Sequence, residues 1–168
     1  MGEEIVNRVK ASNLVVFDLE ELYPKGERIL FDLKPLLFQE LVLKEKDFRD
    51  FVRSNDWSQY QDKHVAIICS ADAIVPTWAF MLVSISLQPY ATSIIFGNLE
   101  ALENYLFEET IDKIEIEKFR NAKVVVKGCS KIVVPIGAYV RIASLLRPVA
   151  ASLMFGEPCS TVPLFKAK

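Results

Sequence analysis

Three cysteines and one aspartate are the residues best suited to chemistry. Cys69 and Cys129 each follow a short β-branched run and precede a segment of helical character, and Asp72 stands three residues beyond Cys69. At such a strand-to-helix turn, free backbone N–H groups and the positive end of the helix dipole lower a thiol pKa and favour the thiolate. Cys159 follows the last strand of the same pattern, in Gly156-Glu157-Pro158-Cys159-Ser160. Soft sulfur ligands select zinc or an iron–sulfur cluster, so Cys69, Cys129, Cys159 and Asp72 are candidate metal ligands, and the thiols are also candidates for transient sulfur handling. The spacing is unlike that of a recognisable zinc site, because 60 and 30 residues separate successive cysteines where paired ligands are usually Cys-x-x-Cys. The alternative is that the cysteines are inert and pack as small hydrophobes.

Other chemistries find less support. In phosphatases and sulfurtransferases an Arg six residues after the thiolate binds the oxyanion, and here Val75 and Pro135 occupy those places. His64, the only histidine, opens the strand that Cys69 ends, about 15 Å away at strand rise, which is too far for a Cys–His pair. It reads as an ordinary strand-edge residue. Asp18 and Asp32 read as turn and strand-end residues, and Trp78 and Tyr139 as core aromatics. No Gly-x-Ser-x-Gly, phosphate-binding loop or dinucleotide fingerprint is present. An enzyme acting on a small organic substrate is therefore the least supported class.

The elements that would position these residues come in two copies. Residues 64–97 shifted by 59 fall on 123–156 with ten of 34 positions identical, among them Pro76/Pro135, Ala79/Ala138, Leu87/Leu146, Pro89/Pro148 and Gly97/Gly156. Each copy opens with a buried-strand run, Val65-Ala66-Ile67-Ile68 or Val124-Val125-Val126. A helix follows, with Pro76 or Pro135 in its first turn and Pro89 or Pro148 ending it, and Asp72 is a candidate N-cap. Ala91 to Phe96 and Ala150 to Phe155 read as closing strands. A helix of that length carries the chain back across a sheet, so the two strands of each copy should be parallel, with all three thiols on one sheet edge.

The stretch Ala73 to Leu99 carries no charge, but Pro76, Gln88 and Pro89 interrupt it and its duplicate holds Lys131, Arg141 and Arg147, which disfavours a membrane span. Its helix is apolar nearly all round, as expected of one covered on more than one side, by the N-terminal segment or at a dimer interface. Between the copies, Leu99, Leu102, Tyr105 and Leu106 form a helical stripe after Asn98, a good N-cap, and the acidic stretch to Lys118 is a solvated face. In the first 60 residues, Phe17-Asp18-Leu19 and Phe31-Asp32-Leu33 share a pattern either side of Pro24-Lys25-Gly26, as two strands facing across a turn would. Leu41-Val42-Leu43 suggests a further strand, and Phe48, Phe51 and Val52 mark an amphipathic helix from Glu45 to about Asn55, after which Trp57 and Tyr60 cap the core.

At 168 residues the chain fits one domain with a sizeable core. A net charge of −2 with scattered Lys and Arg lacks the footprint for nucleic acid. The acidic start Met1-Gly2-Glu3-Glu4 is unlike a secretory signal, so the expected location is cytoplasmic, and in a reducing compartment three cysteines, an odd number, are free thiols or ligands rather than a structural disulfide.

The runs Glu45-Lys46-Asp47-Phe48-Arg49, Asp56-Trp57-Ser58-Gln59-Tyr60, Cys69 to Ala79, Lys127-Gly128-Cys129-Ser130 and Phe155 to Leu164 resemble an uncharacterised family of small Bacteroidetes proteins, catalogued as a domain of unknown function. The resemblance spans about Asp18 to Lys168 and assigns no activity. It implies a gene context near the Suf iron–sulfur assembly system, and hence iron–sulfur assembly proteins as partners. Expected overall is a single α/β domain with a mixed, largely parallel sheet, two tandem β-α-β units and an N-terminal α+β block. Two functions are carried forward: a metal, iron–sulfur or sulfur-handling accessory protein, and a non-catalytic homodimeric interaction module with buried cysteines.

Overall fold

A computed structural model describes residues 14–128 and 131–168. These fall into two compact units, residues 25–105 and residues 14–24 with 106–168. The α/β class and the predominantly parallel pairing are as expected, but the strands form two sheets, one in each unit.

In the unit of residues 25–105 the sheet has order β2-β3-β4, all parallel, with β2 at Arg28–Asp32, β3 at His64–Ile68 and β4 at Ser93–Phe96. Helix α1 (Glu45–Ser54) forms because Glu45 and Asp47 sit in its first turn and Arg53 in its last, matching the helix dipole. Glu45–Arg49 and Lys46–Asp50 pairs span one turn on its exposed side, each worth only about 0.3–0.5 kcal/mol. Phe48 and Val52 carry its buried face. A 3-10 turn at Trp57–Tyr60 then stacks Trp57 on Phe31 at 5.6 Å between centroids, as a core cap should. Helix α2 (Thr77–Leu87) crosses from β3 to β4 and buries Ala79, Val83 and Leu87, one per turn, against Val65 and Ile67. Pro89 follows its end, where the helix could not continue.

Helix α3 (Leu99–Ile111) leads out of this unit, its first turn held by the Asn98 side chain, which accepts from the Ala101 N–H at 2.9 Å. In the second unit the sheet has order β1-β5-β6-β7: β1 (Leu14–Asp18), β5 (Lys123–Lys127) and β6 (Ser152–Glu157) are parallel, and β7 (Ser160–Lys166) is antiparallel to β6. Helix α4 (Ile136–Leu146) buries Ala138, Ile142 and Leu146 against Val124 and Val126.

Several local features recur in the two units at the 59-residue offset. The 3-10 turn Trp57–Tyr60 matches Ile116–Phe119, and left-handed Asp62 matches left-handed Asn121. The Asp62 N–H donates to Tyr90 O at 3.0 Å as the Asn121 N–H donates to Val149 O at 2.9 Å. Phe80 meets Phe96 edge-on as Tyr139 meets Phe155.

Three expectations are corrected. β1 and β2 are not a hairpin: β1 pairs with β5 and β2 with β3, because each Phe-Asp-Leu strand adds to the sheet of its own unit. Leu41 to Leu43 is not a strand, only a bridge between Phe38 and Val42 closing a tight turn in which Gln39 and Glu40 are left-handed. Asp72 does not cap α2, whose N-cap is Pro76. The C-terminal residues Ser160–Lys166 add a further strand, β7, that no periodic pattern in the sequence marks.

Candidate functional site

Each β-α-β unit directs its strand C-termini to one sheet edge, and Cys69 stands at that edge as the residue after β3. It is half-buried against the core of its unit, and its thiol faces the Ala71 carbonyl at 3.9 Å. Asp72, three residues on, is exposed. Cys159 lies exposed in the turn between β6 and β7, and Cys129 lies outside the described residues. The premise of one shared edge does not hold, since β3 belongs to the three-stranded sheet and β6 to the four-stranded one. Among the described residues no group of three or more His, Cys, Asp or Glu side chains is placed to hold a metal ion.

The strand-end aspartates organise backbone. Asp32 ends β2, accepts from the Lys34 N–H at 2.9 Å, and accepts from the N–H (3.0 Å) and hydroxyl (2.5 Å) of Ser70. Partial burial pushes its carboxyl upward, but the Ser70 hydroxyl, the two amides and the Lys34 charge outweigh this and hold it below the usual carboxylate range. In the other unit Asp18 accepts from the Glu20 N–H at 3.0 Å and pairs with Lys127 at 3.1 Å, which raises the lysine above its ordinary value, helped by Glu157. These ties hold each strand end to the turn that follows it and to the end of the neighbouring parallel strand, in line with their reading as strand-end residues.

His64 departs from expectation. It is buried, 5 % exposed, with Nε2 at 2.7 Å from the Lys25 carbonyl and Nδ1 at 3.1 Å from Ser93 Oγ. A carbonyl only accepts, so Nε2 carries the hydrogen, and in the neutral ring Nδ1 accepts from the serine hydroxyl. The ring pins β3 to β4 and to the chain entering β2.

The most distinctive surface is apolar. Met81 and Ile85 on the outer side of α2 are exposed, and Phe96 at the end of β4 is 73 % exposed. With Ile67, Phe80 and Ile94 they border a groove of about 350 Å³ whose lining holds no charged residue. The signal was visible as the charge-free stretch from Ala73 to Leu99; that it surrounds an open sheet edge was not. In the other unit the matching strand, β6, is covered by β7: Phe155 is only 39 % exposed and Leu153, which faces Phe165, only 3 %.

Among the described residues the arrangement is therefore a pair of α/β units, one of them with an apolar sheet edge that no strand covers, and no motif of a known chemistry marks it. The profile described as "Protein of unknown function (DUF2480)" matches residues 3–167, and the chain belongs to that family. No curated protein and no solved structure matches it. Among the described residues no helix is long and apolar enough to cross a membrane.

Proposed function

We propose that the protein is a non-catalytic, cytoplasmic interaction module that works as a homodimer. The observation that carries this is the charge-free face of α2 and β4, with Met81, Ile85 and Phe96 exposed around a groove. Contiguous apolar surface of this kind is costly to leave in water and marks interaction sites. The aspartates support the same reading, because their partners are backbone amides, a hydroxyl and a lysine, an arrangement that tightens loops. The cysteines are then structural or idle. We further read the 59-residue correspondence as the trace of a duplicated β-α-β unit, supported by the paired hydrogen bonds and left-handed residues.

The competing reading uses Cys69, Cys129 and Cys159 as thiolates for zinc, an iron–sulfur cluster or carried sulfur, in the company of iron–sulfur assembly proteins. Sedimentation equilibrium, elemental analysis and a visible spectrum of anaerobically purified protein separate the two. The module should be dimeric, colourless and free of stoichiometric zinc or iron. Stoichiometric metal that is lost on substituting Cys69→Ser or Cys159→Ser would overturn it in favour of the thiolate reading.

A further inference from the structure

The geometry points to the occupant of the open β4 edge: the β4 strand of a second copy, added antiparallel across a twofold axis so that two three-stranded sheets become one of six strands. This rests on the homodimeric reading above and specifies its seam.

Three features of β4 support it. Natural sheet edges are protected by charge, proline or bulges. β2 carries Arg28 and Asp32, β7 carries Pro163 and Lys166, and β1 has Asp18, Glu21 and Lys118 beside it. β4, Ser-Ile-Ile-Phe, has none of these and no strand beyond it among the described residues. Second, its unused hydrogen-bonding groups are aligned. In a parallel ladder each residue turns its N–H and C=O to one side and the next residue turns them to the other; the Gly97 N–H donates to Ile67 O, so Ile94 and Phe96 direct theirs away from β3. Third, the chain contains its own template, since β6, the counterpart of β4, is covered by an antiparallel strand that sets Phe165 opposite Leu153.

Symmetry then limits the register. A twofold axis perpendicular to the sheet leaves every side chain on its own face, and residues opposite one another share a face, so the pairing centres on Ile94 or on Ile95. Centring on Ile95 sets Phe96 opposite the partner's Ile94 on the α2 side, the position Phe165 takes opposite Leu153. It also makes Ile94 and the partner's Phe96 a hydrogen-bonded pair and brings the two Met81–Ile85 faces toward one another. A lining without charge suits a self-complementary seam better than a charged peptide.

In this register Ile95 lies opposite the partner's Ile95 as a non-hydrogen-bonded pair, with Cα atoms about 4.5 Å apart, within disulfide range. The test uses the full chain with Cys69, Cys129 and Cys159 replaced by Ser. Ile95→Cys should oxidise to a covalent dimer and Ile94→Cys should not, and in the native chain Phe96→Glu should weaken dimerisation by about 100-fold with an unchanged circular dichroism spectrum. A dimer that persists in Phe96→Glu and resists cross-linking through Ile95→Cys overturns the seam and leaves the homodimeric reading standing. A native chain that sediments as a monomer overturns both. Protection of the β4 amides from hydrogen exchange in a monomer, lost on deleting residues 1–13, would assign the edge to the chain's own N-terminal segment and overturn the seam.

Discussion

At Asp32, burial and hydrogen bonding act on one carboxyl in opposite directions, and hydrogen bonding prevails. Its folded-state pKa lies below the unfolded value, near 3.9. The ionised form therefore contributes stability above that value, and the contribution is lost as pH falls through the folded one. Ser70→Ala removes the hydroxyl donor, so the Asp32 pKa should rise toward the ordinary value and the acid-unfolding midpoint should move to higher pH. Carboxyl-detected NMR titration and circular dichroism against pH would check this, and an unmoved Asp32 would contradict it. Gly26 sets a second residue-scale constraint. Its φ of 119° is left-handed, and a Cβ there would lie 2.7 Å from His64 Nε2. Gly26→Ala should cost about 1–3 kcal/mol in denaturant unfolding, combining strain with displacement of a hydrogen-bonded ring.

On α2 the two faces should respond differently to substitution. Leu87 is fully buried, so Leu87→Ala should cost about 2–5 kcal/mol of stability. Ile85 is 66 % exposed, so Ile85→Ser should leave the unfolding free energy of the subunit within about 0.5 kcal/mol and weaken self-association. Equal losses of stability from both would mean that Ile85 is covered within the chain. The strand-helix-strand units were legible because β-branched runs, flanking prolines and left-handed Gly97 and Gly156 are local signals. Which sheet receives Phe17-Asp18-Leu19 and which receives Phe31-Asp32-Leu33 was not legible, because the two patterns are alike and pairing is decided far along the chain, at β5 and β3. For the same reason a common edge for Cys69 and Cys159 could be inferred from crossover geometry and yet fail: sheet membership is not encoded in the strand itself. β7 carries no clear strand signal in the sequence, because Pro163 interrupts its pattern, an interruption that an edge position tolerates.

For the whole molecule, the decisive contrast is between β6, covered by β7, and β4, bare among the described residues. The charge-free stretch suggests a helix covered on more than one side, whereas Met81 and Ile85 on its outer side are exposed beside the β4 edge, and under the proposed pairing the further cover comes from beyond β4. Dimerisation would remove that edge and its apolar rim from water together. Sedimentation equilibrium of the native chain from about 1 to 100 µM tests this most directly. A reversible species of twice the 19.1 kDa chain mass, abolished by Phe96→Glu, is the expected result. A single species of 19.1 kDa across that range would contradict it.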